Sequence, residues 1–347
     1  MAENEPTQSG SNNLPPKIVM LQIMSNVLLA RSLGIVAELG IADLVGTSPR
    51  STDELAAATG AHADALYRLL RMLASHGVFA EDEQGRFHLT PLAAVLQTTG
   101  DDSLRDMIRL RWQDVAWDTY RALPQAIMTG EPAFDHAHGM AFFDYLATHT
   151  NINAAFDAAM ALFSDPENAV IAQSYDFGQY SRVVDVGGGQ GGFLAAVLSA
   201  YPTVHGVLYD QPQVVAEPTY LRTADVLERC DLIGGDFFAS IPEGGEVYIL
   251  KRVIHDWDDA TSIKILQHCR NAMGPKGRVL VIDGVLRPGN VPDPNKNMDI
   301  IIMALTSGRE RTEEEFRALY QQAGLQLTRV FATPLPSTLS IVEGVCA

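Results

Sequence analysis

From Ser181 to the C-terminus, short apolar runs alternate with helical patterns. Arg182–Val186, Gly206–Asp210, Cys230–Ile233, Glu246–Val253 and Arg278–Asp283 read as strands, apolar on both faces as buried parallel strands must be. Helical spacing follows the first two and recurs over Asp258–Met273, Met298–Leu305 and Thr312–Gln322. The alternation predicts an α/β fold, a doubly wound and mostly parallel sheet. The tail departs from it. Leu325–Ala332 and Thr338–Val345 are strand patterns joined by the short turn Thr333–Ser337, so they must pair antiparallel.

The first half of the chain is helical. Pro16–Val45 carries apolar residues on more than one face, which calls for cover by a partner subunit or by the chain's own core. Ser51 and Glu54 make a capping-box start, and Asp64–Gly77 is a second helix with leucines at helical spacing. Two short strand runs, Val78–Ala80 and Arg86–Leu89, complete a mainly helical, winged-helix-like layout. Residues 101–175 are helical and aromatic, with Phe134, Phe142, Phe143 and Phe156 among them; together they could wall a pocket for a flat apolar substrate. Phe156 and Met160 share a helix face there. The expected division is a disordered lead-in over 1–14, a winged-helix-like module over 15–100, a helical substrate-pocket segment over 101–175 and a cofactor-binding domain over 176–347.

Charge narrows the function. Among 347 residues, 25 basic against 42 acidic side chains leave a formal charge of −17. Binding to a phosphate backbone needs clustered Lys and Arg, so no nucleic-acid partner is expected. The winged module agrees: residues 51–96 hold six carboxylates against three arginines. Three scattered cysteines give neither a disulfide framework nor a zinc site. The polar N-terminus lacks a signal-peptide pattern and no later run reaches transmembrane length, so a cytoplasmic protein with no membrane partner is expected.

The chemistry is expected at the carboxyl ends of the strands. After Val186, five glycines fall within six residues, and Gly187-x-Gly189-x-x-Gly192 meets the dinucleotide fingerprint without separating nicotinamide from other adenosine-containing cofactors. Asp210, ending the second strand, can accept from ribose hydroxyls or serve as a turn former. Gly235-Asp236-Phe237 offers an acceptor for an exocyclic amine and a ring for adenine, Phe237 being otherwise a core residue. His255 is the candidate general base, with an unperturbed pKa near neutrality. Asp283 and Glu310 could orient it, unless Glu310 is a surface partner of its arginine neighbours.

The segments DVGGGQGGF, LYDQPQVV, GDFFASIP, LKRVIHDWDD, VLVIDGVL and GRERTEEEF, in this order, resemble the S-adenosylmethionine-dependent O-methyltransferases of the caffeic-acid and bacterial natural-product type. The resemblance runs over residues ~16–347 and implies a class I methyltransferase sheet with a winged-helix dimerisation module. It implies that Gly187, Asp210, Gly235, Asp236, Phe237 and Lys251 meet S-adenosylmethionine, with Arg252 nearby, and that His255 is the base flanked by Asp283 and Glu310. Asp283 is a departure, since many relatives carry the longer Glu, and its contact to His255 is expected through water or not at all. Phe156, Met160 and Met303 fall where the acceptor is lined. The acceptor implied is an aromatic or polyketide-like small molecule with a phenolic or enolic hydroxyl; no metal is called for, and a homodimer is. Rival readings are a nicotinamide-dependent oxidoreductase, an adenosine-sensing regulator, and a relative that keeps the cofactor for other chemistry.

Overall fold

The structure, a computed structural model, describes residues 14–100 and 103–347, the side chains of Ala158 and Phe163 apart. The expected lead-in over 1–14 lies, through residue 13, outside the described residues. The chain divides into two compact units, one reaching Gln113 and the other Asp114–Ala347.

In the first unit, Gly40 takes φ +64°, a left-handed conformation through which a helix cannot continue. The expected helix Pro16–Val45 is therefore two, α1 (Pro16–Glu38) and α2 (Ile41–Val45). β1 (Arg50–Ser51) leads into α3 (Thr52–Thr59), where Glu54 N–H donates to Ser51 Oγ at 3.3 Å and Ser51 N–H to the Glu54 carboxylate at 2.8 Å. α4 (Ala63–Ser75), β2 (Phe79–Glu81), β3 (Arg86–Leu89), α5 (Pro91–Ala94) and α6 (Arg105–Arg111) follow. The strands form a small antiparallel wing in the order β1-β3-β2. Val36, Ile41, Leu55, Leu70, Leu73, Phe79 and Phe87 are its core.

The first half of α1 stays outside that core. Met24 is 64% and Leu28 67% exposed, and Ile18, Leu21 and Ile23 are exposed as well. Among the described residues α1 is long and apolar enough to cross a membrane, which corrects the expectation that no run reaches that length. The reason is the circumferential spread of its apolar side chains, which leaves few polar breaks.

The second unit begins with α7 (Asp114–Arg121), α8 (Leu123–Thr129), α9 (Ala133–His138), α10 (Phe142–Thr148) and the long α11 (Thr150–Gln173). The α/β part runs β4 (Arg182–Val186), α12 (Gly192–Ala200), β5 (His205–Asp210), α13 (Pro212–Val215), α14 (Thr219–Thr223), β6 (Cys230–Gly234), β7 (Val247–Lys251), α15 (Asp259–Ala272) and β8 (Arg278–Asp283). It ends with β9 (Val285–Leu286), α16 (Pro294–Leu305), β10 (Arg311–Thr312), α17 (Glu313–Gln322), β11 (Leu325–Ala332) and β12 (Ser340–Cys346).

The main sheet has the order β11-β12-β8-β7-β4-β5-β6. Strand alternation sends Val183, Ile249 and Leu280 to one apolar layer, and Val184, Tyr248 and Leu250 to the other. The chain order reverses at β4, which has β5 on one side and β7 on the other, both parallel to it. That reversal opens a crevice beyond the strand ends at Gly187 and Lys251, where such sheets hold ligands. β12 inserts between β8 and β11, antiparallel to both; with β11 the absence of a connecting helix requires it.

The Tyr320 ring lies over Gly344, and its hydroxyl donates to Val342 O at 2.9 Å in the buried layer. A Cβ at Gly344 would strike that ring. Gly344→Ala is expected to destabilise the domain by about 1–3 kcal/mol, the usual cost of overpacking. Urea denaturation checks this; an unchanged midpoint would show that the hairpin adjusts freely.

Candidate functional site

The glycine turn owes its shape to three positive-φ positions, Gly187, Gly189 and Gly191. Gly187 has φ +70°, and a side chain there would meet Val253 Cγ2 at 2.9 Å and the Phe237 ring at 3.6 Å. Gly189, at φ +60°, donates its N–H to Asp210 Oδ2 at 2.8 Å. The other Asp210 oxygen accepts from Gln211 N–H at 2.7 Å, and burial pushes its carboxyl above the usual range. Below the turn, Asp185 is buried, its pKa is driven up to about 7 chiefly by that burial, and its Oδ2 has no hydrogen-bond partner. Burial likewise raises Asp157 and Asp165 of α11.

Gly235 closes on β5 through its N–H to Asp210 O at 2.9 Å, and Asp236 accepts from Phe238 N–H at 2.9 Å. Phe237 packs edge-on to Phe238, with centroids 4.6 Å apart, and both rings meet Trp257 edge-on. Phe143 stacks on Trp257 at 5.7 Å. Lys251 and Arg252 point toward α11. Lys251 Nζ reaches Glu167 Oε1 at 3.0 Å and Ser164 Oγ at 3.1 Å, and its pKa is lowered, burial outweighing the carboxylate. Arg252 grips the same Glu167 with Nε at 3.1 Å and Nη2 at 3.3 Å. The Arg252 backbone sits at φ +55°, a strained conformation for a residue with a side chain.

His255 lies in a single 3₁₀ turn, Ile254–Asp256, and is buried. Its Nδ1 is 2.9 Å from Glu310 Oε1. Its backbone N–H donates to Asp283 Oδ2 at 3.2 Å. That direct contact corrects the expectation of a water-mediated or absent one: the shorter Asp reaches the backbone and leaves the ring to Glu310. Glu310 itself is 1% exposed, so it is not a surface ion-pair residue; Arg309 pairs with Glu315 and Arg311 with Asp259 instead. The short parallel pairing of β9 with β10 sets Asp283 and Glu310 side by side, and Gly284 leaves room for the Glu310 carboxylate.

A second carboxylate, Asp256 Oδ1, stands 3.8 Å from His255 Nε2. Burial alone would lower the imidazole pKa; Asp283, Asp256 and Glu310 more than reverse this and raise it to about 9. Burial raises Asp256 to about 6 and Asp283 upward as well.

Among the expected acceptor-lining residues, Phe156 packs edge-on to Phe142 at 5.2 Å, beside Phe134, Leu146 and Leu305. Met160 lies one turn further along α11 and is 36% exposed. Met303 is half-buried on α16. Sequence reasoning missed roles for Asp256 and Trp257, although both stand inside the quoted LKRVIHDWDD segment. It missed Glu167 altogether, which has no local signature in its helix.

Residues 120–326 match the O-methyltransferase domain family, and residues 21–99 the O-methyltransferase dimerisation domain family. The chain belongs to the O-methyltransferases. It is 40% identical over 334 residues to the phenazine O-methyltransferase PhzM of Lysobacter antibioticus, covering 95% of this chain and 96% of that protein. It is 34% identical to 8-amino-8-demethylriboflavin N,N-dimethyltransferase of Streptomyces davaonensis, over 98% and 97% of the two chains. The crystal structure of the neocarzinostatin O-methyltransferase NcsB1, in complex with S-adenosylmethionine and 2-hydroxy-5-methyl naphthoic acid, matches with TM-score 0.80 and 32% identity, over 92% and 96% of the chains.

The chain is thus an S-adenosylmethionine-dependent O-methyltransferase with the class I sheet and a helical dimerisation domain. The nicotinamide and regulator readings fall with that assignment. The crevice suits the cofactor: a glycine turn whose single side chain is Gln190, a buried carboxylate oxygen without a partner at Asp185, and a raised Asp210 together favour a cation bearing hydroxyls.

His255 is expected to titrate well above the ordinary histidine range in the ligand-free protein. In Glu310→Gln its pKa should fall, because one carboxylate that favours the imidazolium is gone. NMR titration of the imidazole checks both; equal pKa values in the two proteins would mean the 2.9 Å contact carries no charge stabilisation.

Proposed function

We propose that this enzyme methylates a phenolic or enolic hydroxyl of a planar aromatic or polyketide-like small molecule in secondary metabolism, with His255 as general base. The observation that carries this reading is the buried imidazole with Nδ1 on Glu310. In the neutral ring Nδ1–H donates to that carboxylate, which leaves the Nε2 lone pair to take a proton. S-adenosylmethionine, when bound, supplies a methyl group already activated on a sulfonium. What remains for the chain is to orient the hydroxyl and remove its proton.

A pKa near 9 suits that work. Raised in this way, the base comes closer to a phenol, whose pKa is about 10, and the transfer is less uphill than to an ordinary histidine. The opposing effect is that most molecules hold an imidazolium at neutral pH, and the rate should climb as pH rises. In this reading Glu310 orients the ring and Asp283 fixes its backbone.

Gly187, Asp210, Gly235, Asp236 and Phe237 are assigned to the cofactor's adenosine side, with Lys251 and Arg252 behind the crevice through Glu167. Phe156, Met160 and Met303 are assigned to the acceptor, within the helical segment 101–175 and α16. An amine acceptor is the second reading, favoured by the N,N-dimethyltransferase relative. The exposed apolar face of α1 is assigned to a homodimer through the module 15–100, in a cytoplasmic enzyme.

His255→Ala should lower kcat by about 10²–10⁴-fold, the usual worth of a positioned base, with S-adenosylmethionine affinity by calorimetry little changed. The loss should shrink with phenols already ionised at assay pH. Equal loss across phenols of graded pKa, at unchanged Tm, would leave His255 only a positioning role.

Light scattering at micromolar concentration should give the mass of a dimer, and Met24→Asp with Leu28→Asp should shift it to a monomer. A wild-type monomer would leave the α1 face to some other partner.

A further inference from the structure

Arg311 heads the largest fully buried side chains among the described residues, at 1% exposure, although it stands in the charged run Arg309–Glu315. Its guanidinium spreads over several partners. Nη1 donates to Ile254 O at 3.2 Å and to Arg309 O at 3.3 Å. Nη2 donates to Trp257 O at 2.9 Å and to Ser262 Oγ at 3.4 Å. Nε and Nη2 both meet Asp259 Oδ1, at 3.0 and 2.8 Å. Ile254 and Trp257 bracket His255 and Asp256, and Arg311 itself follows Glu310 in the chain.

We propose that Arg311 is the positioning residue of the His255–Glu310 pair, one planar cation that ties the carbonyls on both sides of His255 to the strand presenting Glu310. The inference rests on the reading of His255 as base. The elements it joins have little regular structure of their own: a three-residue 3₁₀ turn and a two-residue strand. The Asp283 bond to His255 N–H fixes one point of the turn; the guanidinium adds the tie to the carbonyls around it, and without it the 2.9 Å contact of Nδ1 with Oε1 loses its register.

Arginine alone suits the task. It offers five donors in a fixed plane, whereas lysine concentrates three at one point and cannot serve both carbonyls and Asp259 together. Ser262 supports the same turn, donating to Ile254 O and Trp257 O at 3.3 and 3.2 Å. The only carboxylate on the guanidinium among the contacts described is Asp259, whose side chain is 58% exposed. The cation is thus held mainly by carbonyls, an arrangement that fixes direction more than it neutralises charge.

The test uses the full-length enzyme with Arg311→Lys and with Asp259→Ala, the latter a half-exposed side chain. Arg311→Lys is expected to lower kcat by about 10²-fold, the scale of a misplacement near 1 Å, while the Kd for S-adenosylmethionine stays within about twofold. The His255 pKa, read by NMR, should fall as Glu310 is lost to the ring, and Asp259→Ala should shift both readouts the same way by a smaller factor. If Arg311→Lys does not fold, Asp259→Ala decides alone. A wild-type imidazole titration in a folded variant overturns the proposal. So does weakening of cofactor affinity in parallel with kcat, which marks general support of the fold. Should His255→Ala leave turnover intact, the base reading fails, yet the imidazole titration still tests the tie.

Discussion

His255, Asp283 and Glu310 are withdrawn from water, with the partly exposed Asp256 beside them, and much of the second unit exists to make that tolerable. An isolated charge in such a place would cost several kcal/mol, so the group survives only as a mutually compensating set. The imidazole takes a proton that bulk histidine would release, and the carboxyls of Asp256 and Asp283 hold theirs above the ordinary range. The set is closed by backbone rather than by further charges. Asp283 holds the His255 N–H, Glu310 N–H is held by Asp299 on α16, and Gly284 and Gly308 remove side chains that would collide with Glu310 and with the His255 backbone.

The strand ends make this set possible. β8 delivers Asp283, the turn after β7 delivers His255, and the short pairing of β9 with β10 delivers Glu310. Asp283 and His255 meet because parallel strands present their carboxyl ends on one side, and Glu310, just before β10, is added by the separate pairing of β9 with β10. The acceptor and cofactor therefore approach from the same edge, and residues far apart in sequence share one chemical environment.

Much of this was legible beforehand, and the exceptions have physical causes. Runs such as Val183–Val186 and Val279–Ile282 announce buried strands whatever surrounds them, and the closing hairpin follows from a connection too short for a helix. His255, Asp283 and Glu310 stand out as polar residues at strand ends. The direct Asp283 contact was missed because it reaches the backbone, which carries no sequence signal. Arg311 was missed because a run of arginines and glutamates reads as solvated surface; only the fold reveals that its guanidinium turns inward. Glu167 was missed for the same reason, its ion pairs to Lys251 and Arg252 spanning more than eighty residues. The membrane-length reach of α1 was misjudged because isolated polar residues such as Gln22, Ser25 and Asn26 look like breaks without interrupting its hydropathy.

The cofactor side carries the same electrical sign as the acceptor side, and this links them. Around the glycine turn, Asp157, Asp165, Asp185 and Asp210 are all raised by burial, so these carboxyls are protonated more readily than they would be in water. A cation brought among them favours their ionised forms, so its binding releases protons and strengthens as pH rises. Lys251 opposes this only in part: it favours the ionised forms of Asp165 and Asp185, while Glu167 engages both Lys251 and Arg252. The strained Arg252 backbone is thereby held by an internal ion pair rather than by a ligand, and the turn that follows it reaches His255 already set. A cationic cofactor and a proton-accepting imidazole are thus served by one electrostatic design: an excess of buried carboxylate along the edge of the sheet, with Lys251 and Arg252 held by Glu167.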